Sequence, residues 1–410
     1  MNKNLFYIYF SLFLVYVGYG LTLPLLPFFV ERLSSEYALN RETVSLHVGI
    51  ITGIYALMQV LFAPLCGKLS DRIGRKTMLY IGLIGTAASI FVFGISGNLV
   101  LLYSSRILGG IFSAAILPVA NAYVSDLSPF EIRGKVLAWA GGASALGVTI
   151  GPSAASFLTN INLPFKFVSW NFTFDEFSVP FTILAVLLVS TSLLIKRLPE
   201  LSECDSFSEN IVQKEKTNFF SLIKTLKLFL ILSFISQYSL MVFEATFSLH
   251  AKYLFNYGAF ELGIIFSVCG GVMGISQSFF MGNLIIRKGE NFLVPVGFLL
   301  TSVGFFSLMF FENFYLILFG VFIISLGISA IIPSLSSLIS KQFPYKTGSV
   351  FGIQNSIDNL GKGLGAILGG GLFALNIHLP FLSAGLLLLL ISFGLVQKNI
   401  RRNRSAKTAI

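Results

Sequence analysis

Twelve long apolar runs, separated by short polar stretches, make up most of this chain. They fall near residues 5–29, 46–66, 77–96, 98–123, 135–158, 179–195, 228–250, 259–281, 292–311, 313–336, 347–373 and 379–396. Repeated runs of about 18–25 apolar residues are the signature of membrane-spanning helices. The pattern therefore predicts an all-α membrane protein with twelve transmembrane spans. One stretch differs in kind. Residues 196–227 carry Glu200, Glu203, Asp205, Glu209 and Glu215 among lysines and serines, and read as a solvated linker that divides the spans six and six. The expected organisation is a six-helix bundle over 1–195, the linker 196–227, a second six-helix bundle over 228–396 and a basic tail over 397–410.

Composition agrees with this. Of 410 residues 55% are hydrophobic and only 11% charged, with a mean hydropathy of +0.83. The net charge of +10 raises the question of nucleic acid, but its distribution answers it. With Met1 taken as cytoplasmic, 22 of the 28 lysines and arginines fall in inside loops, linker and termini. That asymmetry is the positive-inside pattern of a polytopic membrane protein. Basicity here is a topology signal, with both termini expected in the cytoplasm and no nucleic-acid partner. The tail from Lys398 to Lys407 is expected to rest on anionic lipid. Cys66, Cys204 and Cys269 are far apart and suggest neither a disulfide framework nor a metal site. The first run has one cation before it and no small-residue cleavage site, so it reads as a retained helix.

The most specific stretch lies between the second and third spans: Gly67, Lys68, Leu69, Ser70, Asp71, Arg72, Ile73, Gly74, Arg75, Lys76. Such a charged, glycine-spaced decapeptide cannot lie in hydrocarbon and is expected to be a tight loop at a membrane face. G-x-L-x-D-R-x-G-R-K at this place resembles the signature loop of the major facilitator superfamily. The resemblance implies that Asp71 is a gating aspartate that caps span eleven, with Arg133 as its partner; a loop that only sets topology is the simpler reading. Gly282 to Gly289 sits between spans eight and nine like a decayed copy of the loop. Gly361, Gly365, Gly369 and Gly370 of span eleven mirror Gly142, Gly147 and Gly151 of span five. Half-repeats of this kind are how such transporters are built.

Further motifs resemble the twelve-helix drug:proton antiporter branch. Span one has Gly18, Pro24 and Pro27 in the spacing G-x5-P-x-x-P, and membrane prolines are kept where a helix bends or lines a cavity. Span five has Gly147, Gly151 and Pro152 as G-x-x-x-G-P, the antiporter signature of that branch. By itself the spacing fits a plain packing face equally well. Arg106, followed by Gly109 and Gly110 in span four, would cost about 3 kcal/mol or more at this depth without a cavity or partner. The resemblance assigns it to proton transfer; holding helix ends through carbonyls is the alternative.

Glu244 stands about sixteen residues into span seven, roughly 24 Å along the axis at 1.5 Å per residue. Tyr238, Phe243 and Phe247 are expected to surround it, so that the ionised carboxyl attracts lipophilic cations with help from cation–π contacts. A glutamate paired to Lys252 near the outer surface is the plainer possibility. Phe243 to His250 resembles span seven of NorA-like multidrug pumps, where this glutamate and a span-ten aspartate are the proposed proton-coupling pair. Here Ser329 stands where the aspartate is expected. Asp358 and Lys362, four apart in span eleven, can pair on one face. Asp358 is the candidate second proton carrier, with a permanent ion pair as the equal alternative. Gln59 and Pro24 complete the expected substrate lining.

His47, His250 and His378 lie near outer span ends and read as structural. Asn171-Phe172-Thr173 matches a glycosylation sequon, in an outer loop, 160–178, with no assigned role. No nucleophile elbow, His/Asp/Glu cluster, filter repeat or P-loop occurs, which argues against an enzyme, a channel and ATP drive. The expectation is a monomeric multi-pass transporter of a bacterial inner membrane, in contact with lipid, that exports lipophilic or cationic small molecules. It would use the proton gradient and no cofactor. A dedicated exporter of one metabolite, sugar or siderophore, or a lipid flippase, is the alternative on the same fold.

Overall fold

The computed structural model describes residues 3–37, 40–127, 133–159, 167–168, 172–199, 219–342 and 347–408. They form twelve helical elements: α1 (Lys3–Tyr37), α2 (Arg41–Ile73), α3 (Arg75–Gly94), α4 (Leu99–Asp126, with a turn at 114–115), α5 (Arg133–Thr159), α6 (Ser178–Ile195), α7 (Phe219–Phe255), α8 (Ala259–Lys288), α9 (Glu290–Phe310), α10 (Phe314–Gln342), α11 (Thr347–Leu375) and α12 (Leu379–Thr408). α8 contains one π-helical turn, Ser276–Met281. Between α5 and α6, β1 (Phe167–Val168) and β2 (Thr173–Phe174) pair antiparallel, with Phe167 opposite Phe174. Asn171 of the sequon lies outside the described residues.

Ten of these elements are long and apolar enough to cross a membrane, among the described residues; α5 and α11 are not in that group. Both are rich in glycine and serine, residues that lower hydropathy and let neighbouring backbones approach. Several helices outrun their apolar cores. α7 begins at Phe219 and α12 continues to Thr408, because hydropathy marks the hydrocarbon depth and not the end of hydrogen bonding.

The signature decapeptide is a correction to the sequence reading. It is not an open loop: α2 stays helical to Ile73, α3 starts at Arg75, and Gly74 alone turns the chain, at φ +92°. Gly289, at φ +78°, makes the same single-residue break between α8 and α9. A left-handed φ carries no Cβ penalty at glycine, which is why one residue suffices. Other starts are capped by side chains. Asn40 Oδ1 accepts from the Thr43 N–H at 2.9 Å, Asn98 Oδ1 from the Leu101 N–H at 2.9 Å, and Glu261 reaches back to the Gly258 N–H at 2.9 Å.

The chain divides into two compact units that cut through helices. Unit 1 holds residues 1–21, 54–148 and 158–230; unit 2 holds 22–53, 149–157 and 231–410. In unit 1, α3 packs on α6 through Phe93 and Phe181, edge to face at 5.0 Å, and the Tyr123 hydroxyl donates to the Pro199 carbonyl at 2.6 Å. In unit 2, α9 and α10 cross at glycines. A Cβ on Gly327 would sit 2.3 Å from Thr301 Oγ1 and 2.6 Å from the Gly297 carbonyl. α12 is tied to α9 by Ser302, which donates to the Gly385 carbonyl, and by Ser392, which donates to that of Pro295, each at 2.8 Å.

The crossing of α9 and α10 predicts a stability contrast. Gly327→Leu lowers the stability of the purified protein by about 1–3 kcal/mol through overpacking, measured by thermal unfolding in detergent. Gly141→Ala does not lower it, since nothing lies within 4 Å of the added methyl.

Candidate functional site

In unit 2, α7 is the helix on which the polar groups meet. Three small-residue contacts bring α11 against it. Added Cβ atoms on Gly361 and Gly365 would lie 2.6 Å from the Phe234 carbonyl and 2.4 Å from that of Tyr238, and one on Gly369 would be 3.2 Å from Thr246. The opposite edge of α11 meets the first part of α2: Gly49 faces the Ala366 carbonyl, Gly53 that of Gly363, and Gly370 that of Ser45, each at 2.6 Å. The span-eleven glycines singled out in the sequence thus serve two crossings at once.

Glu244 is buried on α7. It lies within electrostatic reach of the Cys269 thiol on α8, which hydrogen-bonds Ser325 of α10. Ser329, at the place of the expected aspartate, is fully buried and donates its hydroxyl to the Ser325 carbonyl at 2.5 Å. Phe243 and Phe247 are fully buried beside each other at 5.1 Å and pack on Phe266 at 5.8 and 6.2 Å, so they belong to the interior of the unit. Tyr238 stacks on Phe234 at 6.2 Å.

Asp358 takes a different partner from the one expected. Its Oδ1 accepts from the Ser233 hydroxyl at 2.5 Å, and Gln354 Nε2 donates to the same hydroxyl at 3.2 Å. Lys362 acts on Asp358 through its charge, without an ion-pair contact among the described residues. Ser233 and Glu244 are eleven residues apart on α7, so the two carboxyls stand about 16 Å apart along that axis at 1.5 Å per residue.

Lys252 pairs with Glu31 of α1 and lies over the Phe28 ring at 4.0 Å. The plainer reading of Glu244 as its partner is thereby corrected: two helical turns separate Glu244 from Lys252, and the cation turns to α1. Four residues before Lys252, Ser248 donates to the Leu23 carbonyl at 3.0 Å. Pro27 has no N–H to satisfy that carbonyl, which lies four residues earlier. The proline spacing in span one thus has a partner in span seven that the sequence showed only as one more serine. Pro24 is buried in α1.

The antiporter motif is divided between the units. In unit 1 a Cβ on Gly147 would be 2.4 Å from the Phe13 carbonyl of α1. In unit 2 Pro152 presents its carbonyl 2.8 Å from where Gly263 of α8 would carry a Cβ, Thr149 meets Gly270, and the Ser153 and Ser267 hydroxyls bond at 2.5 Å. Gly151 is buried between them in sequence.

In unit 1 Arg106 lies over the Phe93 ring at 3.9 Å and near that of Tyr55 at 5.6 Å. Gly109 and Gly110 explain the register. An added Cβ on Gly110 would be 2.6 Å from the Tyr55 carbonyl, so α4 lies directly on the α2 backbone. Gln59 Nε2 donates to Ser113 Oγ at 3.0 Å, and the Tyr55 hydroxyl bonds both residues. At the α2–α3 corner Arg75 pairs with Asp71 at 3.2 Å and with Asp126 at 2.5 Å. The Asp71 side chain is 62% exposed, so this pair adds little to stability. The side chain of Arg133 lies outside the described residues. At the matching corner before α9, Glu290 pairs with Lys341 and accepts from Ser337 at 2.6 Å. The same turn is held by a pair of reversed sign.

The family model of the Major Facilitator Superfamily matches residues 8–311 and 229–409. Multidrug resistance protein 2 of Bacillus subtilis (strain 168) is 28% identical over 391 residues, 95% of this chain and 93% of that protein. Quinolone resistance protein NorA of Staphylococcus aureus (strain COL) is 25% identical over 406 residues, 98% of each. Among solved structures, a bacterial homologue of the human lysosomal transporter Spinster has the same fold, with a TM-score of 0.75, 12% identity, and 96% of this chain and 95% of that one covered.

The Lys252–Glu31 tie predicts that Lys252→Glu lowers the thermal unfolding temperature of the purified protein. The exchanged pair Glu31→Lys with Lys252→Glu recovers most of the loss in the same measurement.

Proposed function

The chain belongs to the major facilitator superfamily, a family of multi-pass membrane transporters, and we propose that it exports lipophilic or cationic small molecules in exchange for protons. The observation that carries this reading is the buried carboxyl of Glu244, in a chain similar over nearly its whole length to multidrug resistance proteins. An ionised carboxylate at this depth favours a cation, and its protonation removes the attraction. One group therefore serves substrate and proton in turn. Burial away from water is what gives such a group its leverage, since either partner is bound only when the other has left.

Alternating access of this fold supplies the cycle. Facing the cytoplasm, ionised Glu244 takes the substrate. Facing outward, it takes a proton and releases the substrate. The electrical part of the proton gradient is worth about 2.3 kcal/mol per charge per 100 mV. Asp358 is a second candidate carrier, held by the Ser233 hydroxyl, with Gln354 on that same hydroxyl. Its separation from Glu244 along α7 suits two sites used in sequence better than one shared dyad.

Proton-driven ethidium transport in proteoliposomes tests the proposal. Wild type concentrates the dye when a pH gradient is imposed, and Glu244→Gln loses at least about tenfold of the rate, equal to roughly 1.4 kcal/mol. Coupled transport retained by Glu244→Gln and lost in Asp358→Asn moves the coupling to α11. Full activity in Asp358→Asn removes that residue from the cycle.

A further inference from the structure

The only charged side chain in the apolar runs of unit 1 is a cation, and its surroundings suit an aromatic ligand. Arg106 is eight residues past the Asn98 cap, about 12 Å into α4 at 1.5 Å per residue. It remains partly exposed there, as do Tyr16, Tyr19, Tyr55 and Gln59. Those residues come from α1, α2 and α4, and they bear on one another. Tyr55 and Tyr19 act electrostatically on Arg106, and Tyr16 and Tyr55 act on each other. The result is a polar, tyrosine-rich face with a guanidinium at its centre.

The geometry points to this face as a subsite for the anionic end of an aromatic substrate, a carboxylate above all. Three observations carry that assignment. The guanidinium spends its flat face on the Phe93 ring at 3.9 Å, which holds its plane and leaves recognition to its edge. A guanidinium edge matches a carboxylate with two parallel N–H···O bonds, a fit that no amine offers. Around it the hydrogen-bonded set of Tyr55, Gln59 and Ser113 provides a hydroxyl and an amide that can turn toward a second oxygen. The Tyr16, Tyr19 and Tyr55 rings supply faces for stacking an aromatic body.

This inference rests on the exporter reading and narrows it: the substrates are amphoteric aromatics or aromatic acids rather than simple cations. It gives Arg106 a role in recognition, separable from any part in moving protons, because equilibrium binding needs no gradient.

A matched dye pair tests it. Tetramethylrhodamine carries a free carboxylate, and its methyl ester is otherwise the same cation. Binding of each to the purified full-length protein in detergent is followed by fluorescence anisotropy. Wild type is expected to bind the acid about tenfold more tightly than the ester, the difference one charge-assisted pair makes. Arg106→Gln should erase that preference while keeping its affinity for the ester, and Arg106→Lys should retain part of it. Equal binding of both dyes by wild type, or tighter binding of the ester, overturns the inference and leaves the exporter reading standing. So does an acid preference that survives in Arg106→Gln. The wild-type ratio decides the matter even if that variant fails to fold. Binding of neither dye overturns both readings together.

Discussion

Lipid gives helices no hydrophobic reason to associate, so the packing of this protein depends on how closely two backbones can approach. Glycine sets that distance. α11 shows the constraint most fully: Gly361 and Gly365 fit it against α7, and Gly370 fits it against Ser45 of α2. A methyl at any of these places would fall within 2.6 Å of a carbonyl oxygen. The same rule governs α5 on α8 at Gly263 and Gly270, and α9 on α10 at Gly297 and Gly327. Functional side chains are placed as a consequence. Asp358 meets Ser233 because the glycines one turn on seat α11 on α7. Arg106 reaches Tyr55 because Gly110 seats α4 on α2.

Much of the helical plan was legible in the sequence, since a run of apolar residues long enough to cross a bilayer leaves few alternatives. The boundaries were less so. Hydropathy falls at the polar headgroups, yet hydrogen bonding continues, and so α7 starts at Phe219 where the apolar run starts near 228. The charged decapeptide misled for the same reason. Its polarity said that it leaves hydrocarbon, and nothing in it said that the helix continues to Ile73 and stops only at Gly74.

The site was legible residue by residue but not in its pairings. Glu244, Asp358 and Arg106 stand out because charge is rare in apolar runs. Their partners are serines, tyrosines and a cysteine, which carry no signal against a background full of them. Ser233 could not be matched to Asp358 across 125 positions without coordinates. Lys252 and Glu31 likewise belong to runs 221 residues apart. Local spacing proposes the pair Asp358 and Lys362, four apart on one face; the fold brings up Ser233 instead.

The bond from Ser248 to the Leu23 carbonyl has a consequence of another kind. That carbonyl is deprived of its helical donor by Pro27, so its vibrational frequency is set by whatever approaches from a different helix. An isotope label on this single peptide group would give an infrared band that reads the distance between α1 and α7 directly. The proline that loosens the helix also installs in it a reporter of its own neighbour's position.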